Sequence, residues 1–157
     1  MTAAKPKIAD YPFTTLVPNL GVVQFGNAEP FVVADIPGLI EGAHQGAGLG
    51  DRFLRHVERN RILVHMVDAS AIDLDNPLRD FETINTELDQ YSADLARRPQ
   101  IVVLNKMDLP DTDAAADRFV EAAAGQTVFR ISAATVQGVD ELLKAIVTRL
   151  ARIEDNE

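Results

Sequence analysis

Four consecutive residues, Asn105-Lys106-Met107-Asp108, carry the most specific chemistry in this chain. A carboxylate can accept two parallel hydrogen bonds from adjacent N–H donors. Guanine offers such a pair at N1–H and its exocyclic amine, and adenine does not. A buried Asp108 would be left unpaired by adenine, and a site built on that penalty discriminates strongly. Asn105 can bridge neighbouring loops and reach N7 of the base, while the Lys106 stem can lie along the base plane. The bland alternative is a polar turn that caps a strand. Ser132-Ala133-Ala134 offers small residues past which a ligand can approach the backbone, so that an amide N–H could meet the guanine O6. Asp35-Ile36-Pro37-Gly38 has an aspartate able to hold a magnesium-bound water and a glycine amide able to bond a γ-phosphate. Thr14 and Thr15 sit in a proline-punctuated segment, where a threonine could ligate Mg²⁺ only while a third phosphate is present.

The elements that must position these groups follow from patterning. Pro6, Pro12 and Pro18 block a continuous helix, so the first twenty residues read as an extended loop. Apolar runs at 22–25 and 31–34, separated by Gly26 to Pro30, predict a hairpin. A glycine-laden loop with Gly42, Gly46, Gly48 and Gly50 leads to a helix over 51–61. The run 62–67 predicts a strand covered on both faces. Asn76 and Pro77 give a helix start, and Leu78, Phe81, Ile84, Leu88, Tyr91 and Leu95 recur at helical spacing up to Pro99. A buried strand at 101–104 precedes Asn105. A weaker helix over 113–124 ends at Gly125, and a last strand at 127–131 precedes Ser132. A final helix begins near Gly138 and buries Leu142, Leu143, Ile146, Val147 and Leu150.

Strands alternating with helices indicate βαβ units and a largely parallel sheet, in which ligands sit at the carboxyl ends of the strands. Asp35, Asp68, Asn105 and Ser132 each follow an apolar strand. That coincidence, more than any one motif, points to a nucleotide site.

Bulk properties narrow the classes. The 157 residues suit one domain, and 46% hydrophobic with 25% charged residues is ordinary globular composition. A net charge of -9 argues against holding nucleic acid by bulk charge. The lack of cysteine excludes disulfides, thiolate catalysis and Cys-ligated metals. No apolar run approaches a membrane span, and the start has no signal-peptide core, so a cytoplasmic protein is expected.

The sequence resembles the GTPase domain of the Obg family, a branch of the translation-factor-related P-loop GTPases. The likeness rests on the run 5–23 (KPKIADYPFTTLVPNLGVV), on 35–70 almost throughout, and on Asn105 to Asp108 and Ser132 to Ala134. The resemblance implies a three-layer α/β domain, a mostly parallel sheet with helices on both faces, here without its first strand and phosphate loop. The span 1–157 then corresponds to a partial domain, from switch I to the C-terminal helix. It implies a guanine-nucleotide site at Phe13, Thr14, Thr15, Leu16, Val17, Asp35, Ile36, Pro37, Gly38, Asn105, Lys106, Met107, Asp108, Ser132, Ala133 and Ala134. Mg²⁺ would be held by Thr15 and Asp35. It further implies hydrolysis of GTP to GDP and phosphate in the intact protein and a role with the large ribosomal subunit or its RNA. No DNA or membrane partner is expected, and a monomer is.

Two departures matter. Leu39 stands where many GTPases carry a water-positioning glutamine, and the Obg family is similar to this sequence in having an apolar residue there, so hydrolysis is expected to be slow or assisted. No catalytic residue is assigned, although His44 and Gln45 lie in the same loop. The phosphate loop G-x-x-x-x-G-K-S/T occurs nowhere in the 157 residues. A misplaced start, a cut chain and a true variant all fit that fact. The strands at 31–34 and 62–67 are then expected to lack a central neighbour and expose ladder groups and apolar faces. Weak GTP binding by this chain alone is expected too. The alternative is a non-catalytic interaction module that keeps the GTPase fold without a phosphate site. A dinucleotide-binding reading of Gly46, Gly48 and Gly50 fails, because they stand too far beyond their strand. Arg52, Arg55 and Arg59 recur on one helix face, either as a solvated face paired with Asp51 and Glu58 or as a contact for a partner or ribosomal RNA.

Overall fold

The computed structural model describes residues 5–7, 19–35 and 60–157, and for 5–7, 19 and 35 it describes the backbone alone. In chain order the elements are β1 (Lys5–Lys7), β2 (Asn19–Val23), β3 (Phe31–Asp35), β4 (Leu63–Asp68), a 3-10 turn (Ala69–Ala71), α1 (Arg79–Tyr91), α2 (Ala93–Ala96), β5 (Gln100–Asn105), α3 (Thr112–Ala122), β6 (Val128–Arg130) and α4 (Val139–Glu154). They belong to two compact units, one of residues 61–82 and 99–157 and one of residues 2–60 and 83–98.

In the first unit β4, β5 and β6 form a parallel sheet in that order, as the alternation of strands and helices predicts. β5 is central because its sequence allows it: Ile101, Val102, Val103 and Leu104 are all buried. A strand packed on both faces must be apolar at consecutive positions. Val102 and Leu104 join Ala69, Phe81, Ala116, Phe119 and Ala123 in one core cluster. Ile101 and Val103 point to the opposite face. Leu142, Leu143 and Ile146 of α4 are buried as expected, whereas Val147 and Leu150 are only partly so. The Arg149 guanidinium ties this helix to β5 by donating to the Gln100 carbonyl at 3.2 Å.

β4 departs from the expectation of cover on both faces. Leu63 is buried, but Val64 and Met66 are 40% and 48% exposed. Among the described residues β4 pairs with β5 alone, so side chains on its outer margin receive cover from one side only. Its other face is packed: His65 stacks on Phe81 at 4.8 Å between ring centroids, and Phe81 meets Phe119 edge-on at 5.5 Å.

In the second unit β1, β2 and β3 form an antiparallel sheet, with Val23 paired to Phe31 and Asn19 to Asp35 across the predicted hairpin. Gly26 at the turn has a φ of 56°, a conformation glycine adopts without strain. Lys5–Lys7 is a strand where a loop is expected. Proline is tolerated there because β1 lies at the sheet edge. β3 pairs with β2 alone among the described residues, and Val32 is 60% exposed.

The long helix anticipated up to Pro99 is broken. α1 ends at Tyr91, and Ser92, extended at φ -157°, caps α2 by accepting from the Leu95 amide at 3.2 Å. The Asn76-Pro77 start is displaced too, since those residues form a turn and the helix begins at Arg79.

The packing of β4 generates a pH prediction. His65 Nδ1 is buried without a hydrogen-bond partner, and burial pushes the imidazole pKa down from 6.5 to about 4. Between those values the unfolded chain binds more protons than the folded one. The stabilisation is thus complete above pH 6.5, falls as pH drops towards 4, and levels off below it. The loss should reach up to roughly 3 kcal/mol. Denaturant unfolding between pH 7 and 4 should show this slope in the wild type and lose it in His65→Leu; parallel profiles would contradict it. A second test concerns Gly138, the residue before α4, at φ 76°. A Cβ there would collide with the Arg130 carbonyl and the Ile131 side chain. Gly138→Ala should destabilise the chain by about 2–4 kcal/mol, measurable as a lowered melting temperature.

Candidate functional site

The parallel register decides which loops meet. Asp68 closes β4 directly opposite Asn105, which closes β5, and the Arg130 end of β6 lies beside Leu104. Three strands thus deliver their carboxyl-terminal loops to one end of the first unit, where a parallel sheet places its ligands.

Within that end the predicted base-reading residues are bonded to one another. The Ala133 amide donates to Asn105 Oδ1 at 3.0 Å, so the Asn105 side chain spans from the β5 loop to the β6 loop. Its Nδ2 lies 3.7 Å from Met66 Sδ. The Ser132 hydroxyl donates to Asp108 Oδ1 at 2.8 Å and accepts from the Thr135 amide at 3.2 Å. Ser132 is fully buried, and its backbone N–H donates to the Gln137 carbonyl at 2.9 Å. One hydroxyl therefore orients a carboxylate and closes its own loop. The Met107 amide donates to the Ile131 carbonyl at 3.1 Å, a second link between the loops. Below them, the Thr112 hydroxyl reaches the carbonyls of Met107 and Leu109.

Lys106 has a φ of 68°, in the left-handed region that costs a non-glycine residue about 1–2 kcal/mol. Strain of this kind persists where surrounding bonds over-determine the backbone. The bonds of Asn105, Met107 and Asp108 do so here. Val136, in the loop that Ser132 closes, is also left-handed at φ 66°.

The structure adds residues that the motif reading leaves out. The Lys106 ammonium donates to Asp68 Oδ2 at 2.7 Å. Asp68 Oδ1 accepts from the Ser70 amide at 2.9 Å and the Ser70 hydroxyl at 2.5 Å. The Lys106 hydrogen bond is the main reason the Asp68 carboxyl stays below the usual carboxylate range, with Ser70 next. The strand-end pattern already marks Asp68 beside Asn105, but it assigns the aspartate no role; the Lys106 and Ser70 bonds supply one.

Asn105, Lys106, Met107, Asp108, Ser132, Ala133 and Ala134 are therefore brought together within one unit. One expectation is corrected: Asp108 is exposed rather than buried, standing in the loop after β5 where the Ser132 hydroxyl meets its carboxylate. Phe13, Thr14, Thr15, Leu16, Val17, Ile36, Pro37 and Gly38 lie outside the described residues, as do the glycine loop, His44, Gln45 and the arginines at 52, 55 and 59. Asp35 ends β3, with its backbone alone described. Among the described residues no cluster of three or more His, Cys, Asp or Glu side chains could hold a metal, and no helix is long and apolar enough to cross a membrane.

Comparison with known proteins places this geometry. The family model described as 50S ribosome-binding GTPase matches residues 1–106. GTPase Obg of Desulfosudis oleivorans is 61% identical over 144 residues, which is 92% of this chain and 43% of that protein. GTPase Obg of Desulfatibacillum aliphaticivorans is 55% identical over 150 residues, or 96% of this chain and 45% of that protein. The chain thus spans less than half the length of these curated relatives. Among solved structures, a variant of Era from Aquifex aeolicus bound to GDP and aluminium fluoride superposes with a TM-score of 0.63 at 24% identity, covering 90% of this chain and 47% of that one. At that identity the likeness is one of fold. Together with the bonded loops at the ends of β4, β5 and β6, these matches show that the chain belongs to the 50S ribosome-binding GTPase family and is of the Obg type.

Proposed function

We propose that this chain carries the base-reading part of an Obg-type GTPase that binds GTP and GDP, hydrolyses GTP in the intact protein, and acts with the large ribosomal subunit. The observation that carries the reading is the bond from Ser132 to Asp108 Oδ1 together with that from Ala133 to Asn105. They hold a carboxylate and a carboxamide side by side at the end of a parallel sheet. In the proposed complex Asp108 accepts from guanine N1–H and the exocyclic amine. An amide of the 132–134 turn meets O6, Asn105 approaches N7, and the Lys106 stem flanks the base. On the phosphate side, Thr15 and Asp35 would hold Mg²⁺, which supplies charge neutralisation on the phosphates, and Gly38 would contact the third phosphate. Phe13, Thr14, Leu16, Val17, Ile36 and Pro37 would line the same side. This part of the proposal rests on the sequence pattern. No residue is assigned to activate water. Family membership supports the ribosomal partner and a cytoplasmic setting.

The alternative reading is a module that keeps the base site without hydrolysing GTP. The readings share base recognition and part on hydrolysis. The shared claim is tested by titrating the chain with GDP and with ADP by NMR, which resolves weak binding. GDP should bind at least about tenfold more tightly, and Asp108→Asn should remove most of that preference by replacing one acceptor with a donor facing the base. Equal affinity for GDP and ADP would contradict both readings. Magnesium-dependent GTP turnover would then decide between them.

A further inference from the structure

The Asp68–Lys106 contact is built more carefully than a surface ion pair needs to be. The β4–β5 register sets Asp68 opposite Asn105, one residue before Lys106. The two carboxylate oxygens have separate duties. Oδ1 is held by both the amide and the hydroxyl of Ser70, in the 3-10 turn that Asp68 caps, and Oδ2 receives the Lys106 ammonium at 2.7 Å. Lys106 meets it from a left-handed backbone. Yet the side chains are 52% and 37% exposed, so the pair contributes little to folding. A flexible four-carbon stem in water loses much rotamer freedom when it is fixed. Spending that freedom before a ligand arrives makes sense if the ligand needs the stem in one place, because preorganisation removes an ordering cost from binding.

We propose that Asp68, oriented by Ser70, is a positioning residue of the guanine-nucleotide site: it acts through Lys106, holding the lysine stem where it flanks the base. The proposal rests on the guanine reading above and extends it to two residues on a different strand end. In the proposed complex Asp68 acts only through Lys106, so its effect must vanish when Lys106 cannot answer to it.

The test is a double-mutant cycle on the full 157-residue chain, with GDP as ligand, NMR titration for affinity and thermal melting for stability. Asp68→Asn should weaken GDP binding about threefold to tenfold, and Ser70→Ala should weaken it less in the same direction. Neither should shift the melting temperature appreciably. In a Lys106→Met background, Asp68→Asn should change the affinity by less than about twofold. Equal weakening in both backgrounds would overturn the proposal, as would no effect of Asp68→Asn beside an intact Lys106. A loss of affinity that only tracks a lowered melting temperature would also overturn it. These results leave GDP preferred over ADP in the wild type and so sink this inference alone. A wild-type chain indifferent to the base would sink the guanine reading and this inference with it.

Discussion

The ladder of hydrogen bonds through β5 is the constraint on which the site depends. β5 pairs in parallel with β4 on one side and β6 on the other. Parallel pairing makes all three strands end in the same direction, so Asp68, Asn105 and the turn at Ser132 arrive together although they lie far apart in sequence. A shift of one residue would turn Val102 and Leu104 out of the cluster around Phe119. The apolar side chains of β5 therefore fix the register, and the register places the polar groups.

On that base, the loops are secured by a few bonds between unlike partners. Ser132 is the clearest case: buried within the sheet end, it satisfies its backbone through Gln137 and uses its hydroxyl on both Asp108 and Thr135. Asn105 crosses to Ala133, and the Met107 amide reaches Ile131. These links explain how Lys106 can be kept in a left-handed conformation without a glycine. The polar network and the backbone strain occur together because each bond removes an alternative that the strained residue would otherwise relax into.

Much of this is legible in the sequence. A continuous apolar run followed by Asn-Lys-Met-Asp identified β5 and its loop, and a small-residue turn one βα unit later identified the partner. What periodicity could not supply was the number of neighbours each strand has. The run at 62–67 looks like a doubly covered strand, yet Val64 and Met66 stand on an exposed margin. Nor could the spacing from Leu78 to Leu95 register the break at Ser92, because the apolar positions stay in phase across it; the serine's capping bond is the feature that marks it. Asp68 went unassigned for a related reason. A lone aspartate after a strand has no motif to identify it, and its meaning comes from the partner that the register sets beside it.

In the proposed reading base recognition and phosphate binding are separate tasks, and the residues proposed for the first lie within one unit. The most direct measurement is to record which backbone amides respond when GDP is added to the isotopically labelled chain. The account predicts shifts confined mainly to the loops after β4, β5 and β6, with Lys106, Asp108, Ala133 and Ala134 among the largest. Shifts that spare those loops and cluster on other parts of the first unit would contradict it.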